Sequence, residues 1–218
     1  MDSLKVTSPH KIILAIHSTN NFFGFGYQIL NKDSCKKNIF IKKFDRDLTN
    51  NLVIDLESFL SNQDFNSIER ISVSLGPSNF NASRLIIVMA RTLAQRMNCS
   101  LDNCSNFRLM AKRIAIQNDI YKCNQNFWII NKLRKRGFIA GKYSIDSSNQ
   151  LKKSLIISEE IKPKLYQEIS TKLPSFETDL NFEDDLNELL NLSFKNYLQK
   201  VSNSWDCTMP IYPISPTD

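Results

Sequence analysis

Glycine is scarce: the chain of 218 residues holds five, Gly24, Gly26, Gly76, Gly137 and Gly141. Loops that wrap phosphate with backbone N–H groups rely on glycine for positive φ and close approach, so the shortage bears on every nucleotide-binding reading. Neither GxxxxGK[ST] nor GxGxxG occurs, and no Asp-x-Gly triplet is present. Apolar runs of about 18 residues are missing too, which argues against a helical membrane span. The start, MDSLKVTSPHK, lacks an apolar stretch ahead of a small-residue cleavage site. The expected location is cytoplasmic, with no membrane contact. Cysteine is scattered over five positions, Cys35, Cys99, Cys104, Cys123 and Cys207, without a close CxxC pair, and His10 and His17 are the only imidazoles. Buried free thiols are expected, not a disulfide framework or a metal site.

Present in their place is a 42% apolar composition, enough for a folded α/β protein of one large domain or two small lobes. The formal charge is +6. Basic residues are dispersed and densest at Lys132-Leu133-Arg134-Lys135-Arg136, while acidic ones gather at Glu183-Asp184-Asp185. Dispersed charge reads as a solvated surface, and the basic run as an exposed hairpin turn, with direct RNA contact as its sharper alternative.

Lys11–Ile16, Phe22–Leu30 and Asn38–Phe44 read as strands, separated by the polar corner HSTNN and the turn Asn31-Lys32-Asp33-Ser34. From Thr49 the period becomes helical: Leu52, Val53, Leu56, Phe59 and Leu60 form a stripe, and Ile54 lies nearly opposite it. Ile71–Leu75 alternates as a strand. The Gly76-Pro77 corner then opens a helix from about Asn81 to Asn98, and Cys104 begins a second strand-to-helix step with Ser105 or Asn106 as N-cap. Phe127–Ile130, Phe138–Tyr143 and Leu155–Ile157 suggest a second small sheet. Pro163 and Pro174 interrupt the segment after it, and Ser175–Asn181 reads as loop. A helix over 183–201 has acidic residues in its first turn and Lys195 and Lys200 near its end, before the extended tail MPIYPISPTD.

The corner is the feature to weigh. A strand turning into a helix N-terminus favours anions, but Gly76 stands alone and Pro77 has no N–H. Ser78, Asn79 and Asn81 are suited to cap the helix, so Gly76, Pro77, Ser78 and Asn79 read as a structural corner. In the helix it feeds, Ile86, Met89, Ala90, Leu93 and Met97 make one stripe. Ile87 and Val88 lie outside it beside Arg84, Arg91 and Gln95. Their cover is either the rest of the chain or a partner.

The order KIILAIHSTN, then ISVSLGPSNFNASRLIIVMARTLAQRMNCSLDNCSNFRLMA, then MPIYPI resembles the TsaB (YeaZ) family, whose members carry ILAIDTST, GPGSFTGVRIGLATAKGLA with a GVSSLEALA-like step, and EPxYLR. The resemblance implies a two-lobed actin-like, Hsp70-like ATPase (ASKHA) fold with a mixed five-stranded sheet in the N-terminal lobe and a diverged second lobe. It places the N-terminal lobe at 1–104, with the helix 183–201 packing back on it, the second lobe at 105–182 and the extended tail at 202–218. It also implies a non-catalytic subunit without catalytic, cofactor or metal residues. Such a subunit pairs with TsaD, which transfers threonylcarbamoyl to adenosine 37 of tRNA, or with itself as a homodimer; TsaE, an ATPase, joins the assembly, and tRNA is met indirectly. The pairing helices are the first two of the N-terminal lobe, so the expected interface is Ile54, Arg84, Ile87, Val88, Arg91 and Gln95.

Departures from the family pattern concentrate where phosphate and metal would sit. His17 stands where the family has Asp, Ser78-Asn79 replaces Gly-Ser, and Asn81-Ala82-Ser83 replaces Thr-Gly-Val. Ile130-Asn131-Lys132-Leu133 stands for an IDAR-like segment. His17 is expected to be a loop histidine with a hydrogen-bonding role. The competing reading is an active ATPase or sugar-kinase-like phosphotransferase, which needs a glycine-rich loop and an acidic metal ligand.

Overall fold

A computed structural model describes residues 10–30, 36–43, 48–123, 125–134, 136–145, 155–169 and 172–214. The apolar run KIILAI forms the centre of strand β1 (Lys11–Ser18), buried on both faces. It pairs antiparallel with β2 (Phe22–Leu30), which pairs antiparallel with β3 (Lys37–Lys43). After helix α1 (Leu48–Phe59) and the single turn α2 (Asn62–Phe65), strand β4 (Ile68–Ser74) returns parallel to β1. Helix α3 (Phe80–Met97) leads to β5 (Ser100–Cys104), parallel to β4. The mixed sheet has order β3-β2-β1-β4-β5.

Alternation along β1 divides the core. Ile12, Leu14 and Ile16 join Leu52 and Leu56 of α1 and Ile86, Ile87 and Ala90 of α3. Ile13 and Ala15 meet Leu186, Leu189 and Leu190 of α5 (Phe182–Leu198) on the opposite face. Gly26 permits that second contact, because a Cβ there would lie 3.2 Å from both Leu186 and Leu190.

Helix α4 (Asn106–Gln117) and the 3-10 turn Ile120–Lys122 lead into the second sheet. Its strands are β6 (Phe127–Leu133), β7 (Gly137–Ile145), β8 (Ile157–Tyr166) and β9 (Ser175–Glu177), in order β8-β7-β6-β9. Phe127, Ile129, Ile139, Tyr143 and Ile157 pack with Phe107, Met110 and Ile114 of α4.

Several elements differ from the sequence reading. Strand β8 runs through Pro163, because it is an edge strand and its register slips opposite Gly141, where a missing N–H breaks no ladder bond. Ser175–Glu177 is strand β9, not loop, paired parallel to β6 around Phe176. Strand β5 ends at Cys104, and its polar sequence SLDNC hides its burial, since the Asp102 carboxylate is neutralised inside the protein. Val53 is 54% exposed and leaves the buried stripe to Leu52 and Leu56 of α1 and to Leu60 just beyond its end. Phe44, the turn 31–34, Cys35 and Lys135 lie outside the described residues.

Candidate functional site

The Gly76-Pro77 corner lies between the end of β4 and the start of α3, beside the start of α4, and its polar groups are taken by the protein. Gly76 has φ +94°, natural for glycine, and its peptide to Pro77 is cis. Its N–H donates to Asn106 Oδ1 at 3.1 Å, and its carbonyl accepts from the Asn106 N–H at 2.7 Å. Asn106 Nδ2 donates to the carbonyls of Ser18 at 2.8 Å and Pro77 at 3.2 Å. The tail closes the other side, with Ile211 N–H bonded to the Leu75 carbonyl at 2.8 Å.

The anion-attracting end of α3 is satisfied as well. Asn79 is its N-cap, accepting from the N–H groups of Asn81 at 3.1 Å and Ala82 at 3.3 Å. The Ser83 N–H goes to the Asn79 carbonyl at 2.9 Å. Ser78 Oγ lies 3.2 Å from Ser18 Oγ and 2.5 Å from Ser83 Oγ, a chain of hydroxyls. Phosphate would have to displace these internal bonds, so the residues present do not form the open, glycine-rich loop that a nucleotide's phosphates require.

His17 departs from expectation. It is a residue of β1, fully buried, with its ring 4.6 Å from that of Phe182, and neither ring nitrogen has a hydrogen-bond partner among the described residues. The HSTNN corner begins two residues later than the sequence suggests, at Thr19, which converts a loop histidine into a core one. Burial lowers its pKa to about 3, so the imidazole is neutral and offers no cation to a phosphate. Among the described residues no group of His, Cys, Asp and Glu is arranged to hold a metal ion.

Ser105, the N-cap of α4, accepts from the Arg108 N–H at 3.0 Å and donates to Glu159. Tyr143 Oη donates to the same Glu159 Oε1 at 3.0 Å. Burial pushes the Tyr143 hydroxyl well above its ordinary range, so it serves as a donor tying β7 to β8, while Ser105 ties β8 to the start of α4. The capping position of Ser105 is readable in the sequence, but Tyr143 and Glu159 lack a motif.

The expected interface residues divide by exposure. Ile54 is 61% exposed and Val88 54%, joined by Val53, which the sequence pattern assigns to the core. Arg84 and Gln95 are exposed. Arg91 is half-buried, its guanidinium 5.9 Å from the Trp205 ring centre and its Nη1 3.6 Å from Met209 Sδ. Ile87 is a correction: it is 2% exposed, in the cluster that includes Leu52 and Leu56. The buried face of α3 is centred on Ala82, Ile86, Ala90 and Ala94, and α1 widens it far enough to enclose Ile87.

No family model matches the sequence, and no curated protein matches it. Solved structures do. An uncharacterized protein with similarity to peptidase YEAZ from Pseudomonas aeruginosa matches at a TM-score of 0.64 and 12% identity, over 94% of this chain and 100% of that one. YeaZ from Pseudomonas aeruginosa matches at a TM-score of 0.59 and 12% identity, over 93% of this chain and 99% of that one. The chain thus has a two-lobed actin-like α/β fold, shared with YeaZ-like structures.

Proposed function

We propose that the chain is a non-catalytic partner subunit that pairs with a TsaD-like threonylcarbamoyltransferase in N6-threonylcarbamoyladenosine modification of tRNA at position 37. The observation that carries this reading is the contrast between two surfaces. At the corner, the groups a phosphate would need, the Gly76 N–H and the first N–H groups of α3, are consumed internally. On α1 and α3, Val53, Ile54 and Val88 present apolar side chains to solvent.

Helix pairing across such a surface is driven by apolar burial of roughly 25 cal/mol per Å² before the costs of association. Arg84 and Gln95 supply the polar rim, with Ile87 assigned to the subunit's own core. A TsaE-like ATPase joins the assembly, self-pairing through the same helices serves when the partner is missing, and tRNA is engaged through the complex.

Co-expression with a TsaD-like subunit tests the proposal. The expected result is a 1:1 complex by size exclusion that Ile54→Asp with Val88→Asp abolishes while each chain stays folded. An undisturbed complex overturns the interface, and no complex at all overturns the function. Saturable micromolar binding of ATP with Mg²⁺ by the isolated chain, read by calorimetry, would favour the phosphotransferase reading instead.

A further inference from the structure

We infer that the outer face of the second sheet is a binding platform for single-stranded RNA. Phe127 and Ile129 of β6, and Ile139, Tyr143 and Ile145 of β7, point into the cluster shared with α4. The two-residue period of a strand turns Trp128, Ile130 and Lys132, and Phe138, Ala140 and Lys142, to the opposite face. On β8, Lys164 pairs with Ala140 and Tyr166 with Phe138, so both share that face. Among the described residues the helix packed on this sheet is α4, on the cluster side.

The outer face combines rings with cations. Trp128 and Tyr166 meet edge to face with centroids 5.6 Å apart, Ala140 of the strand between them is fully buried, and the Lys164 ammonium lies 5.3 Å from the Tyr166 ring centre. Trp128, Phe138 and Tyr166 all keep part of their surface in solvent. Lys132 and Lys164 are exposed, and the turn joining β6 to β7 adds exposed Arg134 and Arg136. Among the described strand residues the opposing carboxylates are Glu160, which accepts from Ser144 Oγ at 2.5 Å, and Glu177, with exposed Glu168 two residues past Tyr166.

A positively charged sheet face bearing aromatic rings has the chemistry to take unstacked bases on the rings and phosphates on the lysines. Duplex RNA, whose bases are already stacked, gains the charge contacts alone. The basic run that the sequence presents as a hairpin turn is thus one border of a larger surface. This inference rests on the proposed function only for the cellular identity of the RNA; the face belongs to this chain alone.

The test is fluorescence anisotropy of the isolated full chain with labelled oligouridylate of about 12 nucleotides, and a duplex of equal length, at about 50 and 150 mM KCl. The expected result is saturable, salt-weakened binding that prefers the single strand. Lys132→Glu with Lys164→Glu lowers affinity at least about tenfold, and Phe138→Ala lowers it about fivefold on single strands while leaving duplex binding unchanged. Lys43→Glu with Lys195→Glu, exposed but off this face, changes affinity less than about twofold. No binding at about 50 mM KCl, equal losses from the two charge-reversal pairs, or equal affinity for the duplex each overturn the inference. Ile54→Asp with Val88→Asp leaves oligouridylate binding intact, so failure of the partner interface and failure of the RNA face are read separately.

Discussion

Asn106 holds the backbone of Gly76 in both directions: its Oδ1 accepts the Gly76 N–H, and its own N–H donates to the Gly76 carbonyl. The side chain also reaches Ser18 and Pro77, so one amide ties β1, the corner and α4 together. Asn106→Ala leaves buried backbone groups without partners and is expected to cost about 3 kcal/mol. Urea unfolding checks this, and a loss below about 1 kcal/mol would mean that water replaces the amide.

His17 predicts an acid limb in the stability curve. Its folded pKa is about 3, against an ordinary value of 6.5. Between these values the unfolded chain binds a proton that the folded chain refuses, so stability falls on acidification by about 1.4 kcal/mol per pH unit below pH 6.5. His17→Leu removes this contribution. Thermal melts at pH 7, 6 and 5 should show a shallower decline for the variant, and parallel declines would contradict the assignment.

Asp102 anchors the end of α5 to the first sheet. Arg70 Nη1 donates to both of its oxygens, at 2.8 and 2.9 Å, and Ser193, Asn196 and Asn203 donate to it from α5 and the chain beyond. Asp102→Ala strands a buried guanidinium and is expected to cost about 3–5 kcal/mol. Hydrogen exchange should accelerate first around residues 196–203, and uniform acceleration would argue against a local anchor.

Neighbouring residues of α3 are expected to respond oppositely to the same charge. Ile87→Asp buries a carboxylate in the cluster with Leu52 and prevents folding, whereas Val88→Asp shifts stability within about 0.5 kcal/mol. Circular dichroism melts of the two variants separate core from surface along one helical turn.

Most of the first sheet is legible in the sequence because β1, β2 and β4 carry apolar or alternating runs, whereas the polar β5 conceals its burial. Asn79 and Ser105 are recognisable as caps because hydroxyl and amide side chains before a helical period have a local purpose. The misses have a shared cause: long-range partners. Ile87 is buried by a helix about thirty residues earlier in the chain, β9 pairs with a distant strand, and Asp102 is neutralised by Arg70 and by residues near the far end. Asn106 reads as a possible cap, but its grip on Gly76 depends on the parallel pairing of β4 with β5, which sets the corner beside the start of α4. Tyr143 and Glu159 are unreadable for the same reason, since strands of the second sheet bring them to Ser105.

The docking of α5 against Ile13 and Ala15 also constrains how the chain matures on the ribosome. Ile13 and Ala15 of β1 lack their cover until the helix at 182–198 has emerged, so the first sheet completes its core only after the second has been made. Protease nicking between the sheets should therefore yield two fragments that stay associated, because the severed polypeptides remain interleaved.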